Sequence, residues 1–142
     1  MGALDVGRDG RTLAIELRLP AKDLVGFERA PRNDAERRAI EQARLALADP
    51  ALFVPTAAAQ CVAKEPPAVE VPAFPAKPAT GDDHADFAAT FRFECANAAA
   101  LAGLEHAVFK AFPKIKRLNA QFAGASGQKK TVLTHGKPRL AF

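Results

Sequence analysis

The sequence lacks tryptophan and tyrosine, and its aromatic residues are ten phenylalanines. Phenylalanine has no polar atom with which to hold a ligand, so we expect these rings in the core. Serine occurs once, as Ser126, outside a GxSxG context, and the dinucleotide-binding, phosphate-loop and HExxH motifs are absent. Because a nucleophile with a matching base is missing, we expect a protein that is not an enzyme.

The sequence also lacks long apolar runs, and it has no acidic residues near its C-terminal end. No run approaches the roughly 18 residues of a membrane helix, so we expect no membrane span. From Lys110 to the last residue there are eight lysines and arginines and no aspartate or glutamate. Such a basic stretch could bind an acidic partner, phosphate or anionic lipid, although basic strand faces directed to solvent give the same pattern. The lack of stacking side chains argues against nucleic acid.

Two cysteines, Cys61 and Cys95, stand about 34 residues apart and outside any CxxC motif. In a reducing compartment they would be free thiols, and in an oxidising one they could form a structural disulfide. We favour the disulfide, which would restrict the unfolded chain by about 3–4 kcal/mol.

Two patterns predict the first half of the fold. The segment TLAIELRL, residues 12–19, alternates with a period of two after an Asp-Gly turn signal, which predicts a hairpin. The segment RNDAERRAIEQARLALADP, residues 32–50, predicts an amphipathic helix, with Asn33 and Glu36 at capping-box spacing.

The remaining pattern predicts one α+β domain over residues 1–142, with a mostly antiparallel sheet and two main helices. The halves, residues 1–63 and 84–142, show a faint similarity and are joined by a proline-rich crossing segment, residues 64–83, which is expected to be extended or an edge strand. In the second half we expect a helix at residues 97–112 and strands at residues 87–95, 115–123 and 130–134.

The segment DDHAD is the best candidate for a metal site. Asp83, His84 and Asp86 lie within four residues, and in an extended chain His84 and Asp86 point the same way. One imidazole and nearby carboxylates suit Zn²⁺, but a polar loop with a solvated histidine explains the same residues. We expect His106, on the polar side of the predicted second helix, and His135, in a turn, to be surface residues.

Six segments occur in an order that resembles one known family. They are ALDV, PAKDLVGFERAPRNDAER, ALFVPTAAAQC, HADFAATFRFEC, FKAFPKIKRLNAQF and GQKKTVLT, which together cover residues 3–134. This order resembles the ZrgA-like family of proteobacterial periplasmic proteins associated with zinc limitation and zinc uptake.

The resemblance implies a periplasmic zinc-binding protein that assists a zinc ABC importer through contact with the importer's periplasmic component. It also implies a secretory signal and a histidine-containing N-terminus, which we expect to have been removed, and it agrees with a disulfide between Cys61 and Cys95. The sequence departs from the family at Arg29, where relatives often have histidine, and in the crossing region, where His84 is the one histidine.

Two further expectations complete the sequence analysis. The segment LVGFERAP is expected to be structural, with Leu24 and Phe27 filling the core, Gly26 permitting a tight turn and a surface pair between Glu28 and Arg29. The alternative to the zinc function is an interaction domain that docks an acidic partner through its basic C-terminal strands, with little or no metal binding.

Overall fold

The computed structural model describes residues 1–75, 85–125 and 127–142. Within these ranges the strands are β1 Gly2–Asp9, β2 Thr12–Pro20, β3 Phe53–Pro55, β4 Cys61–Ala63, β5 Ala68–Glu70, β6 Asp86–Cys95, β7 Gly103–His106, β8 Arg117–Gly124, β9 Gly127–Thr134 and β10 Leu140–Ala141. The α-helices are α1 Ala21–Val25, α2 Asp34–Leu47 and α3 Val108–Ala111, and single 3-10 turns cover Pro50–Leu52, Ala57–Ala59 and Ala98–Ala100.

A large sheet and a small sheet organise these elements. The large sheet has the strand order β4-β6-β2-β1-β8-β9, with β5 also pairing with β6, and the small sheet has the order β10-β7-β3. The pairing of β1 with β8 is parallel, and the other pairings of named strands are antiparallel. The predicted α+β class with mostly antiparallel strands is therefore confirmed. The division into two related halves stays a prediction.

The hairpin of β1 and β2 forms where the Asp-Gly signal predicts it. Gly10 has a φ of +60°, a conformation that glycine adopts without the steric cost of a Cβ atom. Alternation along both strands then places one apolar row on the core face, where Leu4 and Ile15 are at most 1% exposed. These residues share one buried cluster with Leu47 of α2 and Leu104 of β7, so the second layer covers one face of the large sheet.

Helix α2 begins and ends close to its predicted bounds. The side-chain oxygen of Asn33 accepts a hydrogen bond of 2.9 Å from the Glu36 amide, which is the predicted cap. In front of it, α1 is a single helical turn that ends at Gly26, whose φ of +92° permits the tight turn expected there.

The predicted helix at residues 97–112 is wrong. The chain instead forms a 3-10 turn at Ala98–Ala100, strand β7 and the four-residue helix α3. The apolar residues behind that prediction, Leu101, Leu104, Val108 and Phe112, are all buried, so their spacing indicated burial correctly. Pairing of β7 with both β3 and β10 overrides the local helical preference.

Two other segments differ in detail from a simple extended chain. The crossing segment contributes β5, which pairs with β6 at the edge of the large sheet. Residues 57–63 are only partly extended, because a 3-10 turn precedes β4. Among the helices of the described ranges, none is long and apolar enough to cross a membrane.

Candidate functional site

Asp86 is the member of the predicted metal set that the structure describes. It is the first residue of β6, pairs in register with Pro20 of β2 and is half-buried. Because Phe87 is fully buried on the core face, alternation directs Asp86 to the opposite, outer face of the large sheet. His84 and Asp83 lie outside the described residues.

Two backbone hydrogen bonds hold the residues that flank the candidate ligand segment, residues 76–84, against the segment from Ala21 to Ala30. The carbonyl of Ala85 accepts a hydrogen bond of 2.8 Å from the amide of Ala21, at the start of α1. The carbonyl of Pro75 accepts one of 2.7 Å from the amide of Ala30, a few residues after α1. The segment from Ala21 to Ala30 therefore fixes both chain positions that flank residues 76–84.

Arg29 and Glu36 form the strongest charge pair near this anchor. The two terminal guanidinium nitrogens of Arg29, Nη1 and Nη2, each donate to the Glu36 carboxylate at 2.8 Å. The Arg32 amide donates to the same carboxylate at 2.8 Å. The hydrogen bonds from Arg29 and then from Arg32 lower the pKa of Glu36 to about 2. The Arg29 guanidinium also lies 5.1 Å from the centroid of the Phe27 ring.

The segment LVGFERAP has a structural role, as expected. Phe27 is buried and its ring lies 5.7 Å from that of Phe74, while Arg29 connects the segment to the first turn of α2. Glu36 could not be predicted as the partner of Arg29, since a separation of seven residues across a loop is not a helical spacing. The capping box at Asn33 was the available signal, because it places Glu36 at the helix start facing the preceding chain.

The two described histidines pack on one ring. His106 and His135 lie 5.1 and 4.7 Å from Phe109, measured between ring centroids. His106 shares the inward face of β7 with Leu104, so its predicted exposure on a helix surface is wrong. His135 is exposed, as predicted, and its Nε2 lies 3.1 Å from the Ile115 carbonyl oxygen.

The environment of His106 fixes its tautomer. Its Nδ1 accepts a hydrogen bond of 3.1 Å from the Val108 amide, so the neutral ring carries its proton on Nε2. Nε2 is buried, and the backbone carbonyl of Pro138 is the nearby group that raises the pKa. Burial has the larger effect and lowers the pKa of His106 below its ordinary value.

No ready-made metal centre is present in the part of the chain that the structure describes. Residues 1–75, 85–125 and 127–142 contain no group of three or more histidine, cysteine, aspartate or glutamate side chains close enough to share an ion. Both cysteines are consumed by the Cys61–Cys95 disulfide, which joins directly opposed residues of β4 and β6 and confirms the predicted pairing. The metal set of Asp83, His84 and Asp86 stays a prediction.

A shallow depression of about 370 Å³ lies on the outer face of the large sheet. Gly7, Ala14 and Ala123 line it with small side chains, and Asp5 lies directly opposite Glu16 at its side. Two carboxylates without an imidazole or a thiolate match zinc poorly, since this ion favours nitrogen and sulfur ligands.

The fold defines the class of the protein, which is a disulfide-linked α+β domain. Comparison with known families then identifies the family. The sequence model of the ZrgA family zinc uptake proteins matches residues 1–142, and the chain belongs to that family. None of the curated proteins matches the chain.

Proposed function

We propose that the protein is a non-enzymatic periplasmic accessory protein of zinc homeostasis, which binds Zn²⁺ and assists a zinc ABC importer. The observation that carries the proposal is the match to a zinc uptake family over the whole chain. A disulfide is compatible with the oxidising periplasm, and the thin inventory of nucleophiles favours a binding role over catalysis.

The metal would be bound by His84 with Asp83 and Asp86. One imidazole and two carboxylates are zinc ligands of ordinary type, and an incomplete shell leaves positions for water. An ion held in this way can be released, which is what a protein that passes zinc to an importer requires. The backbone anchors at Ala21 and Ala30 support the proposal, because they hold the chain on both sides of the ligand segment.

Calorimetric zinc titration tests the metal site. The protein should be kept oxidised, because reduction of Cys61 and Cys95 would create thiolates that bind zinc by themselves. We expect one site, weakened by at least about tenfold in His84→Ala and in Asp86→Asn. The matched control is His135→Ala, which removes a histidine that stacks on Phe109 far along the chain and should leave the affinity unchanged.

The outcome also separates coordination from surface charge. Coordinated zinc is little screened, so the affinity should change little with added salt. Absence of binding, or equal loss in His135→Ala, would contradict the proposed site. The importer role is tested by mixing zinc-loaded protein with the purified periplasmic component of a zinc importer, separating the two and measuring the metal in each. Zinc that stays on this chain would refute the transfer.

A second candidate function is docking of an acidic protein through the basic C-terminal strands. The observation that favours it is the position of β9 at one edge of the large sheet, in a region with eight basic and no acidic residues from Lys110 onward. It requires no bound metal, so reversal of these charges should abolish partner binding and leave zinc titration unchanged.

A further inference from the structure

We propose that β9 binds an acidic, extended segment of a partner protein as an additional strand of the large sheet. The inference rests on the second candidate function and specifies its binding mode, which is hydrogen bonding between main chains with lysine side chains selecting the partner. The first candidate function, zinc binding, does not enter the argument.

The shape of β9 suits strand addition. The strand Gly127–Thr134 pairs with β8 at eight consecutive positions, without a bulge. In the described part of the chain no named strand pairs with its other edge. It contains no proline, and every residue from Gly127 to Val132 is exposed. Natural sheets usually shorten, twist or cover such an edge, since it offers unpaired main-chain groups to another strand.

The free main-chain groups can be identified from the end of the strand. The amide of Thr134 donates to the Lys137 carbonyl at 3.2 Å, and the Lys137 amide donates to the Thr134 carbonyl at 3.0 Å. The polar groups of Thr134 therefore point away from β8. Because this direction alternates along an antiparallel strand, those of Gln128, Lys130 and Val132 also point to the free edge.

The side chains specify the charge of the incoming segment. Lys129 and Lys130 are consecutive, so they project on opposite faces of the sheet. Neither β8 nor β9 contains an aspartate or glutamate that would neutralise them. Two residues further on, Val132 is 46% exposed and offers an apolar contact. A partner with two adjacent carboxylates and a neighbouring apolar residue matches both features.

A second copy of this chain matches the edge less well. Pairing of β9 with itself would bring four lysines together and would supply no carboxylate from either strand. Like charges across paired strands are destabilising, whereas opposite charges contribute. The charge of the edge therefore favours a different, acidic chain as the occupant.

The experiment uses a synthetic eight-residue peptide with blocked ends, carrying two adjacent glutamates between threonine and valine residues. Its binding is measured by fluorescence anisotropy. Single N-methyl groups are then moved along the peptide, because each removes one main-chain donor. Methylation should weaken binding by about tenfold at every second position and have little effect at the positions between.

Amide hydrogen exchange on the protein gives a second, independent readout. Binding of the peptide should slow exchange at Gln128, Lys130 and Val132, whose amides face the free edge. Exchange at Lys129 and Thr131 should change little, because these amides already face β8. Side-chain attraction alone would produce no such alternation.

The charge requirement is tested with a pair of matched variants. The double substitution Lys129→Glu and Lys130→Glu should weaken peptide binding by at least about tenfold. The control is Lys22→Glu with Lys64→Glu, which makes the same change in net charge at exposed residues away from β9 and should bind the peptide as the unmodified protein does.

The results separate failure of strand addition from failure of docking itself. Selective loss in the β9 variant without alternation in the peptide or in exchange refutes strand addition while docking stands. Equal loss in both variants, or equal binding of a peptide with lysines in place of the glutamates, refutes both. Self-association of the protein that protects the same three amides would assign the edge to a second copy and overturn the proposal.

Discussion

The Arg29 guanidinium donates two hydrogen bonds of 2.8 Å to the Glu36 carboxylate and so ties the LVGFERAP segment to the first turn of α2. The Arg32 amide donates a third to the same carboxylate. The negative charge at a helix N-terminus is also favourable for the helix dipole. The pair therefore fixes the segment that anchors Pro75 through Ala30.

This pair predicts a specific acid sensitivity. The pKa of Glu36 is about 2 in the folded protein and near 4.5 in the unfolded chain, so its stabilising effect is complete above pH 4.5 and is lost as the pH falls toward 2. Urea unfolding between pH 6 and pH 3 should show a shallower loss of stability in Glu36→Gln and in Arg29→Met than in the unmodified protein. The stability of the double variant should depend on pH no less than that of Glu36→Gln alone. A weaker dependence would mean that the two groups do not act as one pair.

Removal of the disulfide should destabilise the protein, because the bond restricts the unfolded chain. Replacing both Cys61 and Cys95 with alanine frees a loop of 34 residues and should lower the free energy of unfolding by about 3–4 kcal/mol. Urea unfolding of the double variant measures the loss, and reduction of the unmodified protein should give a similar value. A loss below about 1 kcal/mol would contradict the assignment of β4 as a strand that the disulfide holds on β6.

His106 predicts a second pH effect, at milder acidity. Its folded pKa lies below the unfolded value of about 6.5, because burial disfavours the charged ring. The unfolded chain therefore binds the proton more readily, so stability is full above pH 6.5 and declines as the pH falls below it. Urea unfolding between pH 8 and pH 5 should show this decline.

The variant His106→Phe tests the assignment. It should remove the decline below pH 6.5 and cost about 1–3 kcal/mol at pH 8, since the Val108 amide loses its acceptor. An unchanged pH dependence would mean that another group is responsible for it.

Asp5 and Glu16 are directly opposite each other on the outer face, an unfavourable arrangement for like charges. Asp5→Asn should therefore stabilise the protein by about 0.2–1 kcal/mol, with a smaller gain at high salt. The control is Glu70→Gln, because Glu70 stands opposite Ala88 and has no carboxylate across the strand. Equal gains in both variants would point to net charge and not to the pair.

Turn residues, caps and hydrophobic spacing correctly predicted the elements that depend mainly on neighbouring residues. The hairpin of β1 and β2 follows from its turn and alternation, and α2 follows from its cap and amphipathic spacing. The segment around Leu104 could not be assigned in this way, since the same buried residues fit a helix or a strand until β3 and β10 are known to flank it. The parallel pairing of β1 with β8 joins residues more than a hundred positions apart, for which the sequence contains no local signal.

The strand that begins at Asp86 was predictable from the sequence, and the surroundings of the candidate site were not. The alternation of β6 correctly indicated the strand that begins at Asp86, whereas the pairing of Arg29 with Glu36 depends on how a loop folds back over a helix end. The predicted exposure of His106 was wrong because the helix predicted to contain it does not form. On a strand, the residue two positions after Leu104 faces the core, whereas on the predicted helix it would have faced solvent.

The two edges of the large sheet differ in length, and this difference limits how the protein can assemble with other chains. One edge consists of the three-residue strands β4 and β5, which are separated by Pro66 and Pro67, and the disulfide holds β4 on β6. The other edge is the long, straight β9. If a partner strand adds to β9, the complex should therefore stay discrete and not propagate into a fibril, because the described opposite edge offers only two short, interrupted strands to a further chain.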